Sequence, residues 1–311
     1  MGDAHATPGA WPSISVVVPT VSRPVELRRA VTSILEQDYP GPVECLVVFD
    51  GTEPLMPDVT VPDRRTLRVL ANTRTAGLPG NRNTGYLASS GELVAACDDD
   101  DEWLPTKLSA QVACLRQHPR AVLCATGIRI QRGDQTHVRV HGRDELTLQD
   151  LLRHRHVETC PSSSLFRRQL VDDGILVDES IRGGYAEDYE WLFRVVRTGP
   201  VVCLREPLTV IHWGEESFFV ADWDKVEHGL RHLLDVVPEF ERDPAALARI
   251  EGQLALATAA RGDRGAAVRL ALRSLRRSRR ARQSWAALLV ATGIVSADRI
   301  VSVARQHGRG V

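Results

Sequence analysis

Short apolar runs alternate with stretches of helical periodicity along the first hundred residues. Ile14 to Val18 is a continuous run rich in β-branched residues and stopped by Pro19, the pattern of a strand buried on both faces. Behind it, Leu27, Ala30, Val31, Ile34 and Leu35 recur at the spacing of one helix face, with Ser22 as the expected N-cap and Pro24 and Glu26 in the first turn. Turn residues from Tyr39 to Pro42 end that helix. Three more apolar runs follow: Cys45 to Phe49, stopped at Asp50-Gly51; Leu67 to Leu70, stopped at Asn72; and Leu93 to Cys97, stopped by Asp98 to Asp101. Strands alternating with helices predict βαβ units, a mostly parallel sheet, and a ligand site beyond the carboxyl ends of the strands.

After the aspartates the pattern loosens as far as about Val220. Ala121 to Ile130 and Thr136 to Val140 predict a hairpin turning at Gly133-Asp134, and Ala186 to Thr198 predicts a helix. From Asp224 onward Ala, Leu and Arg dominate, so the chain divides near 222 into an α/β domain, 1–222, and a helical region, 223–311. Within the latter, Ala255 to Arg261 and Ala266 to Arg277 read as an antiparallel helix pair about Gly262-Asp263. The pair resembles one tetratricopeptide-like unit, too few for a repeat array. Val268, Leu272 and Leu275 share one face of the second helix, and the arginines from Arg269 to Arg282 make it basic. A solvated face is the default for such a helix; contact with an anionic acceptor, a membrane surface or a second copy in a homo-oligomer is the sharper alternative.

Composition narrows the function classes. The 311 residues are 43% hydrophobic and 25% charged, with a formal net charge of −1, so there is no global basic field and no nucleic-acid partner is expected. The six cysteines are scattered without metal-ligand spacing and read as reduced, mostly buried thiols. Met1 to Pro12 lacks the pattern of a signal peptide, and the longest apolar stretch, Trp285 to Val295, is far short of the roughly 20 residues a spanning helix needs. A cytoplasmic location is the expectation.

Two constellations carry chemistry. Asp98 to Asp101, continuing into Glu102-Trp103, places four adjacent carboxylates at a strand end, where their mutual repulsion calls for a cation. A divalent metal holding phosphate oxygens is the natural partner, with a solvated acidic turn as the bland reading. In Gly183-Gly184-Tyr185-Ala186-Glu187-Asp188-Tyr189-Glu190-Trp191, acids occupy the first turn of a helix, where its dipole favours ionised carboxylates. Asp188 precedes Trp191 and Leu192 by three and four residues, which predicts that it faces inward, with Glu187 about 100° round the helix. Asp188 is therefore the expected base toward an acceptor proton, and Glu187 a contact beside it. Trp213 fits a sugar-stacking residue or a core tryptophan.

Asn72, Gly77, Asn81-Arg82-Asn83, Gly85 and Ser89-Ser90-Gly91 run straight into the aspartates. With Val16-Val17-Val18-Pro19-Thr20, Val47-Val48-Phe49-Asp50-Gly51, Pro161-Ser162-Ser163-Ser164, Glu187-Asp188 and His212, they resemble the family 2 nucleotide-sugar glycosyltransferases of the GT-A fold over about residues 14 to 215. The resemblance implies an α/β GT-A catalytic domain with a C-terminal helical appendage. It implies donor contacts at Pro19, Thr20, Asp50, Arg82, Asn83, Asp98 and Asp99, with Asp98 and Asp100 as the D-x-D pair, and Mn2+ or Mg2+ held by Asp100 and His212. Phe49 stands where the family often has a second acid beside Asp50. The expected activity is metal-dependent, inverting transfer of a sugar from a nucleoside diphosphate to a glycan, lipid-linked saccharide, natural product or peptide. A sugar nucleotidyltransferase would need a Gly-rich basic loop after the first strand, which Thr20 to Pro24 does not provide, and a non-catalytic binding scaffold would not need Asp98, Asp100 and Asp188 intact.

Overall fold

The computed structural model describes residues 10–213 and 222–306. Its first part realises the alternation: β1 (Ile14–Thr20), α1 (Pro24–Leu35), β2 (Val43–Phe49), β3 (Arg65–Ala71), α2 (Leu78–Ala88) and β4 (Leu93–Ala96). Past the aspartates come β5 (Glu102–Trp103), α3 (Lys107–Gln117) and the expected hairpin of β6 (Leu123–Arg132) and β7 (Gln135–Arg139). Then follow β8 (Glu145–Leu146), α4 (Leu148–Arg153), β9 (Ser164–Arg167), α5 (Gln169–Asp172), α6 (Glu187–Thr198) and β10 (Val201–His212). The helical region holds α7 (Trp223–Val236), α8 (Pro244–Ala260), α9 (Arg264–Arg277), α10 (Arg282–Ala291) and α11 (Ala297–Gln306).

The sheet runs β3-β2-β1-β4-β9-β6-β10-β5, with β7 beside β6 and β8 beside β10. Its first four strands are parallel, and β9 is antiparallel to both neighbours, β4 and β6. Both faces are covered, because successive strand side chains point to opposite sides. Val16 and Val18 pack with Ile34 of α1 and Val112 of α3, whereas Val17 between them packs with Tyr86 of α2 and the aromatic face of α6.

Ser22 does not cap α1. It has φ of 106°, and Arg23 takes the N-cap position without a side-chain hydrogen bond, leaving Pro24 to set the helix start.

Composition changes at 222, and the core continues across that point. Val226, Leu230 and Leu233 of α7, then Phe240, Ile250 and Leu254, belong to the same hydrophobic cluster as Phe166 and Phe193. The far side of α8 forms a smaller cluster, in which Ala255, Leu256 and Ala259 meet Ala267, Ala271 and Ala287. The apolar face expected for α9 is corrected: Ala267, Ala271 and Ser274 are buried, and Leu272 is 45% exposed. Small side chains let α9 approach α8 closely, and Ser274 satisfies its hydroxyl on the Ala248 carbonyl at 2.7 Å. Among the described residues, no helix is long and apolar enough to cross a membrane.

Candidate active site

The aspartate run leaves the carboxyl end of β4, between β1 and β9 in the middle of the sheet. The four aspartates share their partners in pairs, Asp99 and Asp100 on Arg23 and Asp98 and Asp101 on Ser162. Asp98 accepts from Arg82 at 2.6 Å, and its amide donates to Ser162 Oγ at 3.0 Å. Asp99, 1% exposed, accepts the Thr20 hydroxyl at 2.6 Å and pairs with Arg23. Asp100 takes the other arm of the same guanidinium at 2.6 Å. Asp101 is buried and accepts the Ser162 hydroxyl at 2.5 Å. Two arginines thus supply positive charge that the sequence reading assigned to a metal alone. Burial still pushes the Asp99 carboxyl up to about 6, against the Thr20 hydrogen bond and Arg23, and it pushes Asp101 well above the carboxylate range.

Arg82 joins this strand end to α6. Its buried guanidinium reaches Asp98 at 2.6 Å and, from its other arm, Glu187 at 2.7 Å. Two carboxylates compensate the cost of burying that cation. Gly85 lets α2 lie directly on β1, since a Cβ there would stand 2.2 Å from Val17 Cγ1. The approach to α6 is tightly turned: Gly183, Gly184 and Ala186 have φ of 77°, 68° and 67°. Ala186 is the one with a side chain, and left-handed geometry costs such a residue roughly 1–2 kcal/mol.

The orientation expected at the start of α6 is reversed. Glu187 is the buried acid, 4% exposed against Arg82, while the Asp188 side chain keeps 24% exposure. The physical reason is the cation: Arg82 draws Glu187 inward, and the stripe of Trp191 and Leu192 does not decide the matter. Burial and the neighbouring Asp188 push Glu187 up to about 7, against the pull of Arg82. Asp188 Oδ1 accepts from Arg155 at 3.3 Å and from the Tyr189 amide at 2.7 Å.

The remaining expected residues fall into two groups. Thr20 spends its hydroxyl on Asp99, and Pro19 is buried within β1. Asn83 is buried and clasps Val177, donating to its carbonyl at 2.8 Å and accepting from its amide at 2.9 Å, while also donating to Glu179 at 2.7 Å. Asp50 accepts from Asn72 Nδ2 and the Gly77 amide, both at 2.7 Å, and so pins the loop that enters α2. His212, by contrast, has a buried Nε2 without a hydrogen bond, 3.5 Å from Glu102. Burial and Arg29 hold its pKa below the ordinary value, which favours the neutral ring. The Nε2 nitrogen is of the kind a divalent metal takes, while Asp100, the other expected ligand, is engaged by Arg23. Trp213 is half-buried, its amide donating to the Gln131 carbonyl at 2.9 Å, and residues 214–221 beyond it lie outside the described residues.

Sequence reasoning gave no role to Arg23, Arg155 or Ser162. Only Ser162 carried a signal, within the Pro161-Ser162-Ser163-Ser164 motif; an arginine's partner is not encoded in its neighbours. A surface concavity of about 640 Å³ is lined by Arg74, Asn83, Asp178, Glu179, Glu190 and Arg194, but by none of Asp98 to Asp101 nor by Asp188.

The sequence model of glycosyl transferase family 2 matches residues 15–175, more than half of the chain, including the aspartate run; α6 and His212 lie beyond the matched span. The putative colanic acid biosynthesis glycosyl transferase WcaA of Escherichia coli is 34% identical over 109 residues, 34% of this chain and 39% of that protein. A GalNAc(5)-diNAcBac-PP-undecaprenol beta-1,3-glucosyltransferase of Campylobacter jejuni is 37% identical over 102 residues, 32% of this chain and 33% of its own. These matches thus span well under half of either relative's length. In three dimensions the fold is similar to that of TarS of S. aureus bound to UDP-GlcNAc (TM-score 0.57, 17% identity, 96% of this chain and 92% of that one). It is also similar to the mannosyltransferase PcManGT of Pyrobaculum calidifontis in complex with GDP-Man and Mn2+ (TM-score 0.54, 17% identity, 98% and 83%). These likenesses show a GT-A-type α/β sheet followed by helices. By the family pattern that runs from β1 through the aspartates to the end of α5, this chain belongs to glycosyl transferase family 2.

Proposed function

We propose that the protein is a metal-dependent, inverting glycosyltransferase that moves a sugar from a nucleoside diphosphate to a hydroxyl acceptor. The observation that carries this reading is Arg82 holding Asp98 and Glu187 on two arms of one guanidinium, which brings the aspartate run to the start of α6, where Asp188 is accessible. Asp188 is the base: it takes the acceptor's proton as the acceptor oxygen attacks the anomeric carbon opposite the departing diphosphate, and a single displacement inverts the centre. Arg155 and the Tyr189 amide orient that carboxylate before reaction.

Asp98 faces the donor sugar, and Asp50 retains a lone pair on each carboxylate oxygen for the base or ribose. Pro19 and Thr20 form the wall at the end of β1. Thr20, Asp99 and Asn83 act as positioning residues, because their polar atoms are spent on the protein. Asp100 and His212 would hold Mn2+ or Mg2+, which when bound neutralises charge on the leaving diphosphate. Loading the ion requires Arg23 to release Asp100.

The division near 222 assigns the donor site to residues 1–222 and acceptor contact, with the half-buried Trp213 at the rim, to the helical region beyond; Glu187, buried against Arg82, supports that rim from behind and does not touch the acceptor. Arg273 and Arg277 are spent on the buried Glu251, which leaves Arg269, Arg276, Arg279, Arg280 and Arg282 as the exposed basic face. That face suits an anionic acceptor, such as the diphosphate-linked lipid named for the Campylobacter relative, at a membrane surface.

Thermal-shift screening of a nucleotide-sugar panel with Mn2+ tests the reading. One nucleoside diphosphate and its sugar should raise the melting temperature, with the metal required, because a ligand bound only by the native state stabilises it. Chelator should abolish nucleoside-diphosphate release. A panel without any shift sinks the donor assignment, and full activity in excess chelator sinks the metal.

A further inference from the structure

Three side chains outside the aspartate site converge: His141, just after β7, with His156 and Glu158 in the loop after α4. One donor atom from each lies within 4.8 Å of the others. His141 is 2% exposed, and one of its nitrogens, Nε2, lies 3.2 Å from the Thr126 carbonyl. A carbonyl can only accept, so that contact fixes the proton on Nε2 and leaves Nδ1 with its lone pair. This Nδ1 is buried without a hydrogen bond, 3.7 Å from Glu158 Oε1. His156 Nδ1 is 3.2 Å from the same oxygen, and its Nε2 is also buried and unpartnered.

An imidazole lone pair facing a carboxylate is repulsive unless a positive charge lies between them. A bound cation between the two satisfies that geometry. Ligand atoms about 2.0–2.1 Å from a tetrahedral zinc stand roughly 3.3 Å apart, and the separations of 3.7 and 3.2 Å bracket that value. The bond from His141 to the Thr126 carbonyl is the outer contact that metal-bound histidines almost always make.

We propose that His141, His156 and Glu158 form a second metal site, selective for a zinc-type divalent cation, with water as the fourth ligand. Two imidazoles and one carboxylate favour such an ion over the Mg2+ that suits oxygen donors. The site is structural. It ties the end of β7 to the loop that carries Arg155, whose guanidinium lies against Asp188, and the Ser163 hydroxyl holds the same loop through the Glu158 carbonyl at 2.7 Å.

Chelator-stripped full-length protein, dialysed against micromolar Zn2+ with millimolar Mg2+ present, should retain one zinc per chain by elemental analysis. Co2+ in its place should give the visible absorption of a four-coordinate site. His156→Ala and Glu158→Gln, both on a partly exposed loop, should keep the far-ultraviolet spectrum and weaken zinc binding by more than the 10–100-fold typical of losing an outer contact. The double variant Asp100→Asn with His212→Ala should retain the zinc. Absence of zinc from the wild type, or its loss from the Asp100/His212 variant together with retention in His156→Ala, overturns the proposal.

Discussion

Glu187 is 4% exposed and shares Arg82 with Asp98, whereas Asp188, one residue on, keeps a quarter of its side chain open and leans on Arg155. An acceptor can reach the second acid and not the first. Asp188→Asn should therefore lower kcat by about 10²-fold or more with donor affinity nearly unchanged, as expected for loss of a general base. Steady-state kinetics alongside donor titration check this, and a mild Asp188→Asn beside a severe Glu187→Gln would reverse the assignment. Glu187 has a separate signature in stability. Its pKa is raised from the ordinary carboxylate value to about 7, so the native state holds the proton more tightly than the unfolded chain. That contribution is fully present below about pH 4.5 and is lost as the pH rises through about 7. The melting temperature of Glu187→Gln relative to wild type should accordingly be more favourable at pH 8 than at pH 5; the opposite trend would show that the Arg82 pairing dominates.

At the scale of elements, the site depends on α2 lying on β1 and on α6 being held to the end of β4. Both are consequences of single residues that the sequence displays without explaining. Gly85 is required where a Cβ would collide with Val17, so Gly85→Ala should destabilise the fold and cannot be accommodated by a side-chain rotation. Arg82→Met removes the one cation between two carboxylates and should cost about 3–5 kcal/mol, the range for breaking a buried pair, measured by denaturant unfolding. Ala186→Gly should be neutral or stabilising, because it relieves left-handed strain at the entry to α6. A large loss of stability there would mean that the methyl group's packing outweighs the strain. The Asn81-Arg82-Asn83 motif was legible as a site element, yet its division of labour was not. Asn83 faces the 177–179 segment and Arg82 faces the aspartates, a distinction set by which side of α2 meets the sheet.

For the whole molecule, the boundary near 222 is a change of composition crossed by a continuous core. Cutting the chain at Asp224 would strip Leu230, Leu233, Phe240, Ile250 and Leu254 from the cluster around Phe193, each worth roughly 1.5–3 kcal/mol of burial. Such a truncation should be insoluble or unfolded, in place of the intact donor-binding core that composition suggested. Cutting after Arg261 removes the partners of the small alanine cluster and the Arg273 and Arg277 pairs of Glu251 but keeps the buried cluster around Phe193, and should leave a soluble, less stable protein that still binds the donor. Solubility and donor thermal shifts of the two truncations separate these outcomes. What the sequence determined by itself was local. Periodicity of two and of 3.6 gave the βαβ order, the strand ends and the hairpin, because each is written in neighbouring residues. It also put four carboxylates at the end of β4 and two at the start of α6. Only the tertiary structure decided what those charges meet. The arginines that compensate them approach from far along the chain, with 105 residues separating Arg82 from Glu187 and 76 separating Arg23 from Asp99. The buried face of α9 was likewise chosen by how closely α8 approaches, not by where its largest apolar side chains lie. Burial and pairing are properties of a partner, and sequence periodicity along one element carries no record of which partner the fold will bring.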